Sequence, residues 1–206
     1  MVKTMRIIFS IIVIIAFIVE SFGERSEKDN NVVGGRIKEG GSGFFCIVNS
    51  GGVDNERPLL LAGQQLEGIL MAEVRVTKGT WNLKEASIAL DKIGANAAVF
   101  VVHDAELPIS LIALEAKWAV VNAKGQSEEV VKKEILRVST ILLGSCYSQY
   151  KGSVMRPAFS ADDLEKKVGD SLTIDVIVPL LNGFQNLGIK PYSYVELEPK
   201  KSQLKK

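Results

Sequence analysis

His103 is the single histidine of the chain, and Asp104 follows it directly. An imidazole beside a carboxylate is raw material for general acid–base chemistry. The pair closes an apolar run over residues 97–102, and loops at strand ends host sites in open α/β sheets. Two observations weigh against chemistry there. Neighbouring residues of a strand point to opposite faces, and no Gly-x-Ser-x-Gly elbow accompanies the pair. Ser139, Ser145 and Ser148 lack any surrounding pattern that marks a nucleophile. The residues predict a partly exposed loop histidine with a local role; a hydrolase centred on His103 is the alternative.

The two cysteines, Cys46 and Cys146, offer either a cross-link or two separate thiols. A bridge would close a long loop and add at most about 4–5 kcal/mol on the chain-entropy argument. Cys46 lies in Phe44-Phe45-Cys46-Ile47-Val48, a run apolar enough to bury it, which favours a core thiol. The Cys46–Cys146 disulfide stays a candidate, because the start of the chain points to an oxidising compartment. A site combining Cys46, Cys146 and His103 has no local ligand spacing. One histidine excludes the paired-His zinc sites, and two cysteines exclude a four-cysteine site. No metal or cofactor is expected.

A formal charge of +1, from 25 Lys+Arg against 24 Asp+Glu, gives no general attraction to nucleic acid. No nucleic-acid partner is expected. Gly40-Gly41-Ser42-Gly43 precedes an apolar run, whereas a dinucleotide loop follows a strand and opens a helix. Trp81 and Trp118 are too far apart in sequence for a stacking ladder.

The elements that must position these residues follow an α/β order. Residues 44–48 read as a buried strand. Leu60, Gln64, Glu67 and Leu70 have helical spacing, so residues 59–70 are predicted helical. Residues 71–76 alternate and read as a half-buried strand. Asn82 is a candidate cap for a helix through Leu83, Ala86, Ile88, Leu90 and Ile93, with Gly94 as its stop. Residues 97–102 are a second buried strand. The runs 109–114 and 118–121, joined by Glu115-Ala116-Lys117, predict a β-hairpin. Ser127, followed by Glu128 and Glu129, opens the longest helix. Its stripe of Val131, Ile135, Val138 and Leu142 faces a core. Ser160, with Asp162 and Asp163 behind it, starts another helix. Residues 172–187 are apolar enough for a closing helix, whose limits Pro179 and Gly183 leave open. This order predicts an α/β fold with a mixed sheet, a hairpin and right-handed crossovers.

The ends of the chain read differently. Lys3 and Arg6 precede an apolar run over 7–19, closed by Glu20. That is the pattern of a signal peptide, and the run falls short of the roughly 20 residues that span a bilayer. Residues 1–23 are therefore expected to be a signal peptide cut after Gly23. The chain would then be secreted or periplasmic. If the segment is uncleaved it tethers the chain to a membrane, the one membrane contact expected. Residues 24–43 are polar and glycine-rich and read as a flexible linker. Residues 44–198 are expected to form one α/β domain. Residues 199–206, with four lysines, read as a solvated basic tail.

The long helix carries a resemblance. Residues 133–148, from Lys133-Glu134 through Gly144 to Tyr147-Ser148, resemble the zinc-binding segment of the archaemetzincins. That family of metallopeptidases has His-Glu-x-x-His-x-x-Gly-x-x-His followed by a cysteine, commonly introduced by Lys-Glu. Val154-Met155-Arg156-Pro157 is similar to the family's methionine turn, one residue late. Residues 100–107 resemble its strand ending in Thr-Asp-x-Asp-Leu. Ala119-Val120-Val121-Asn122 resembles the strand before its active helix. The order holds over roughly residues 44–165. The resemblance implies a three-layer-like mixed sheet, with the helix from Ser127 as the metzincin active-site helix.

The departures carry the functional implication. Position by position, the first zinc histidine falls on Arg137, the catalytic glutamate on Val138, the second histidine on Ile141 and the third on Tyr147. The cysteine falls on Ser148. Gly144 and a methionine, Met155, are kept. A catalytic zinc needs three protein ligands and a group to handle the proton of its water. The resemblance therefore implies an exported, inactive archaemetzincin-like protein. Its cleft would serve a binding, regulatory or structural role, with a peptide or protein as its ligand. The alternatives are the His103 hydrolase and an unrelated envelope-associated α/β domain.

Overall fold

The structure, a computed structural model, describes residues 32–33, 36–82 and 86–196. The expected signal peptide and basic tail lie outside them, as do Leu83, Lys84 and Glu85 of the expected second helix. The chain divides into a larger unit, Gly40–Tyr192, and a smaller one made of the residues flanking it. In the smaller, β1 (Val32–Val33) pairs antiparallel with the start of β2 (Arg36–Ser42).

Strand β2 falls within the stretch expected to be a flexible linker, a correction to that expectation. Strand pairing uses main-chain groups, so a polar, glycine-rich composition does not forbid it. Gly41 has a φ of +82°, and a Cβ there would stand 3.3 Å from that of Tyr192 in β8 (Lys190–Glu196).

The core of the larger unit is a five-stranded sheet in the order β4-β3-β5-β7-β6. Strands β3 (Phe45–Asn49), β4 (Val74–Lys78), β5 (Ala97–Val102) and β7 (Trp118–Asn122) are parallel. Strand β6 (Ser110–Ala113) is the antiparallel edge, with Leu111 opposite Val120 and Ala113 opposite Trp118. Every residue of β3, β5 and β7 is buried. That burial is why these strands read as unbroken apolar runs and not as alternating ones.

Helices cover both faces. On one, α2 (Ala86–Ile93) sets Ala86 and Leu90 against Cys46, Val48, Phe100 and Val120. On the other lie α1 (Arg57–Leu70) and α3 (Glu128–Leu142), which pack on each other. Gly63 of α1 sits directly over Ile47, Val74 and Val76. The result is a mixed α/β fold of three layers, with five helices among the described residues, as the element order predicted.

Helix limits follow local chemistry. The main chain of Met71 turns left-handed, at φ +50°, and its N–H closes α1 on the Glu67 carbonyl. Met71 therefore cannot open a strand, and β4 starts three residues later than the alternation suggested. Ser127 caps α3, its Oγ accepting from the Val130 N–H at 3.3 Å. Ser160 caps α4 (Ala161–Lys167) in the same way, accepting from Asp163 at 3.1 Å. Helix α5 (Ile174–Asn186) runs through both Pro179 and Gly183. Gly183 is a packing requirement: a Cβ there would collide with the main-chain oxygen of Leu143, at the end of α3.

Candidate functional site

Helix α3 is the element to which the sequence resemblance assigns the site. Its apolar stripe packs Val131, Ile135 and Val138 into the core. Beside that stripe it buries three charged residues, whose burial and pairing the sequence did not reveal. Lys133, Glu134 and Arg137 are only 4%, 6% and 5% exposed. Buried charges must be paired and hydrogen-bonded to persist, and each of these is.

Arg137 reaches the segment that resembles the methionine turn. Its Nη1 donates to the main-chain oxygens of Val154, at 3.0 Å, and Arg156, at 2.6 Å. These carbonyls flank Met155, which is fully buried. The Nε meets Glu134 Oε2 at 3.2 Å. The other oxygen of Glu134 accepts from Ser110 Oγ, on edge strand β6, at 2.5 Å. Ser110, Glu134, Arg137 and the 154–156 backbone thus form one hydrogen-bonded line from the sheet edge across α3. The ring of Tyr147 lies over the guanidinium, 5.4 Å from ring centre to Cζ.

Lys133, one turn earlier, does the same for the end of α4. Its Nζ donates to the carbonyls of Leu164 (3.2 Å), Glu165 (3.3 Å) and Val168 (2.9 Å). Glu129 and Asp170 flank it at 3.3 and 3.4 Å. Burial alone would raise the Asp170 carboxyl. The hydrogen bond with Glu129 and the charges of Lys132 and Lys133 outweigh that and hold it low.

Below Met155 runs a chain of hydroxyls. Ser148 Oγ lies 3.3 Å from Thr173 Oγ1, which in turn lies 3.0 Å from Ser153 Oγ. The Ser148 N–H donates to the Met155 carbonyl at 3.0 Å. The Thr173 hydroxyl, with lesser help from Ser148 and from the N–H groups of Asp175 and Val176, holds the Asp175 carboxyl below the usual carboxylate range.

The remaining positions fall as follows. Val138 is buried, Ile141 half-buried and Tyr147 exposed. Gly144 ends α3 at φ +84° and donates to the Ile141 carbonyl at 2.9 Å. The structure therefore brings Arg137, Tyr147, Ser148 and Met155 together, with Ile141 and Gly144 on the adjoining helix end. A guanidinium carries no lone pair for a metal, and Val138 and Ile141 have no donor atom. Among the described residues, no group of three or more His, Cys, Asp or Glu side chains is placed to hold a metal ion.

The other candidates stand apart from this site. His103 is exposed. The carboxylate of Asp104 accepts from the Glu106 N–H at 2.8 Å, a local turn. Asn122 holds that loop, its Nδ2 donating to the carbonyls of Asp104 and Leu107. The Cys46–Cys146 bridge is corrected: both thiols are free. Cys46 points to the α2 face of the sheet, whereas Cys146 follows α3, which packs on the opposite face. Burial pushes the Cys46 thiol up to about 11, against a lowering by Arg75.

No protein-family model matches the sequence, and no curated protein matches it. Solved structures do match the fold. The crystal structure of an archaemetzincin from Methanopyrus kandleri superposes with a TM-score of 0.55 at 12% identity, covering 69% of this chain and 96% of that one. A zinc-dependent peptidase from Methanocorpusculum labreanum gives 0.51 at 13% identity, covering 67% of this chain and all of that one (100%). At such identities the likeness is one of fold, and the fold of this chain is archaemetzincin-like.

Proposed function

We propose that this chain is an exported archaemetzincin-like protein that binds a peptide segment without cleaving it. One observation carries the reading. Arg137, at the position of the family's first zinc histidine, has its Nη1 engaged by two main-chain oxygens and its Nε paired with Glu134. A charged guanidinium repels a divalent cation and cannot ligate one. The base position, Val138, is apolar and buried. The residues at this site do not fit zinc, and no hydrolytic step is assigned to them.

Peptide binding is supported by β6, the end strand of the sheet among the described residues. An extended segment adds to such an edge through main-chain hydrogen bonds, with side-chain contacts selecting among sequences. Leu111 on that strand is 37% exposed and Tyr147 is 55% exposed, so both offer apolar surface. Export is supported by Lys3 and Arg6 ahead of the apolar run over 7–19. Among the described residues no helix is long and apolar enough to cross a membrane.

The test is to incubate the purified chain with a diverse peptide mixture, then analyse the bound and free fractions by mass spectrometry. Intact peptides enriched in the bound fraction support the proposal. Chelator-sensitive cleavage would overturn it.

A further inference from the structure

The segment between α3 and α5 has little regular structure of its own. It contains α4, of seven residues, and one isolated bridge between Ser153 and Ser171. Such a stretch needs external fixing to hold one shape. Two cations on α3 supply it. Lys133 and Arg137, one helical turn apart, make five hydrogen bonds to main-chain oxygens, at Leu164, Glu165 and Val168 and at Val154 and Arg156.

We infer that Arg137 is the built-in cation of this site. It is a positioning residue whose guanidinium holds the methionine-turn segment against α3, where the fold family would place a metal. Three observations converge on this. Arg137 stands at the first ligand position of the resemblance. Its donors go to the two carbonyls flanking the buried Met155. Glu134 compensates the charge and is itself fixed by Ser110, as an outer carboxylate fixes a metal ligand. A guanidinium stays charged at all accessible pH values and presents a rigid fork of donors. Unlike a metal ion, it cannot be removed by a chelator. The shape of the segment is therefore independent of metal supply.

This inference rests on the reading of the site as metal-free, and its test separates the two. Amide hydrogen exchange is measured on the full chain with a chelator present, so that zinc binding by the wild type, which would sink the proposed function, does not enter. The reporters are the Ser148 N–H, bonded to the Met155 carbonyl, and the Val154 N–H, bonded to that of Ser171. Arg137→Met should speed their exchange about tenfold or more while amides of β5 keep their protection. Arg137→Lys, which keeps the charge, should exchange more slowly than Arg137→Met. Unchanged exchange at Ser148 and Val154 in Arg137→Met overturns the inference.

A triple variant, Arg137→His with Ile141→His and Tyr147→His, keeps the test decisive if Arg137→Met fails to fold. Added zinc should bind it and restore protection at the same two amides. A triple variant that takes up no zinc, or takes it up without restoring protection, contradicts the inference.

Discussion

Glu134 and Arg137 meet at 3.2 Å, three residues apart on one helix, with side chains only 8% and 6% exposed. Pairs at this spacing usually lie on a solvated helix face and contribute a few tenths of a kcal/mol, about 0.2–0.5. This one is enclosed, so removing one partner strands a buried charge. Glu134→Ala should cost about 3 kcal/mol or more in urea unfolding. Replacing both residues with apolar ones of similar size should cost less than the two single changes added together. A double-mutant cycle reads this as a coupling energy above about 1 kcal/mol. Additive losses would mean that the two side chains do not depend on each other.

The contact between α5 and the end of α3 predicts two glycine effects of different origin. At Gly183 a Cβ meets the Leu143 main chain, so Gly183→Ala forces the helices apart. It should cost about 2–3 kcal/mol, the range for overpacking against an unyielding neighbour. At Gly144 the nearest atom to an added Cβ is the Gly183 Cα at 3.6 Å, an ordinary contact, but φ is +84°. Gly144→Ala should cost about 1–2 kcal/mol through the left-handed backbone alone. Equal effects at both sites would show that the helix contact is looser than described.

Asp175 predicts an acid-side effect. Its carboxyl is held below the usual range by the Thr173 hydroxyl first, then by Ser148 and by main-chain N–H groups. A group with a depressed folded-state pKa adds stability above its unfolded value, about 4. That stability is lost as pH falls through the folded value. Unfolding free energy should therefore drop as pH falls below about 4, and Asp175→Asn should flatten that part of the profile. Thr173→Val, which removes the leading hydrogen bond, should flatten it too. An acid limb of unchanged slope in both variants would contradict the assignment.

The thiols give a chemical check on the sheet. Cys146 is exposed, whereas Cys46 is buried with its thiol raised to about 11. The thiolate is the reactive form. At neutral pH, alkylation of the folded chain should modify Cys146 alone, and Cys46 should react only after denaturation. Neither thiol reacting until a reductant is added would restore the disulfide.

The parts legible in the sequence were those set by local patterns. Strand β5 declared itself as six apolar residues, and all six are buried. Helix α3 showed its cap at Ser127 and its core stripe through Val131, Ile135 and Val138. Strand β2 did not show, because its pairing runs through main-chain atoms of a glycine-rich stretch. The roles of Lys133 and Glu134 did not show either. Charged residues beside an apolar stripe normally mean a solvated face. The partners that reverse that meaning lie 31 to 35 positions away for Lys133 and 17 to 19 away for Arg137. Arg137, Ile141 and Tyr147 were marked by resemblance to a motif whose chemistry they lack. Their neighbourhood could be seen only once the 145–157 segment had folded back on α3.

In the proposed reading, the archaemetzincin-like fold holds its site together without metal. The most direct test of that reading is the zinc content of the purified full chain after equilibration with zinc and gel filtration, read by elemental analysis. Zinc far below one per chain and a melting temperature unmoved by zinc or chelator are the expected result. One zinc per chain, with a melting temperature that falls on chelation, would contradict it.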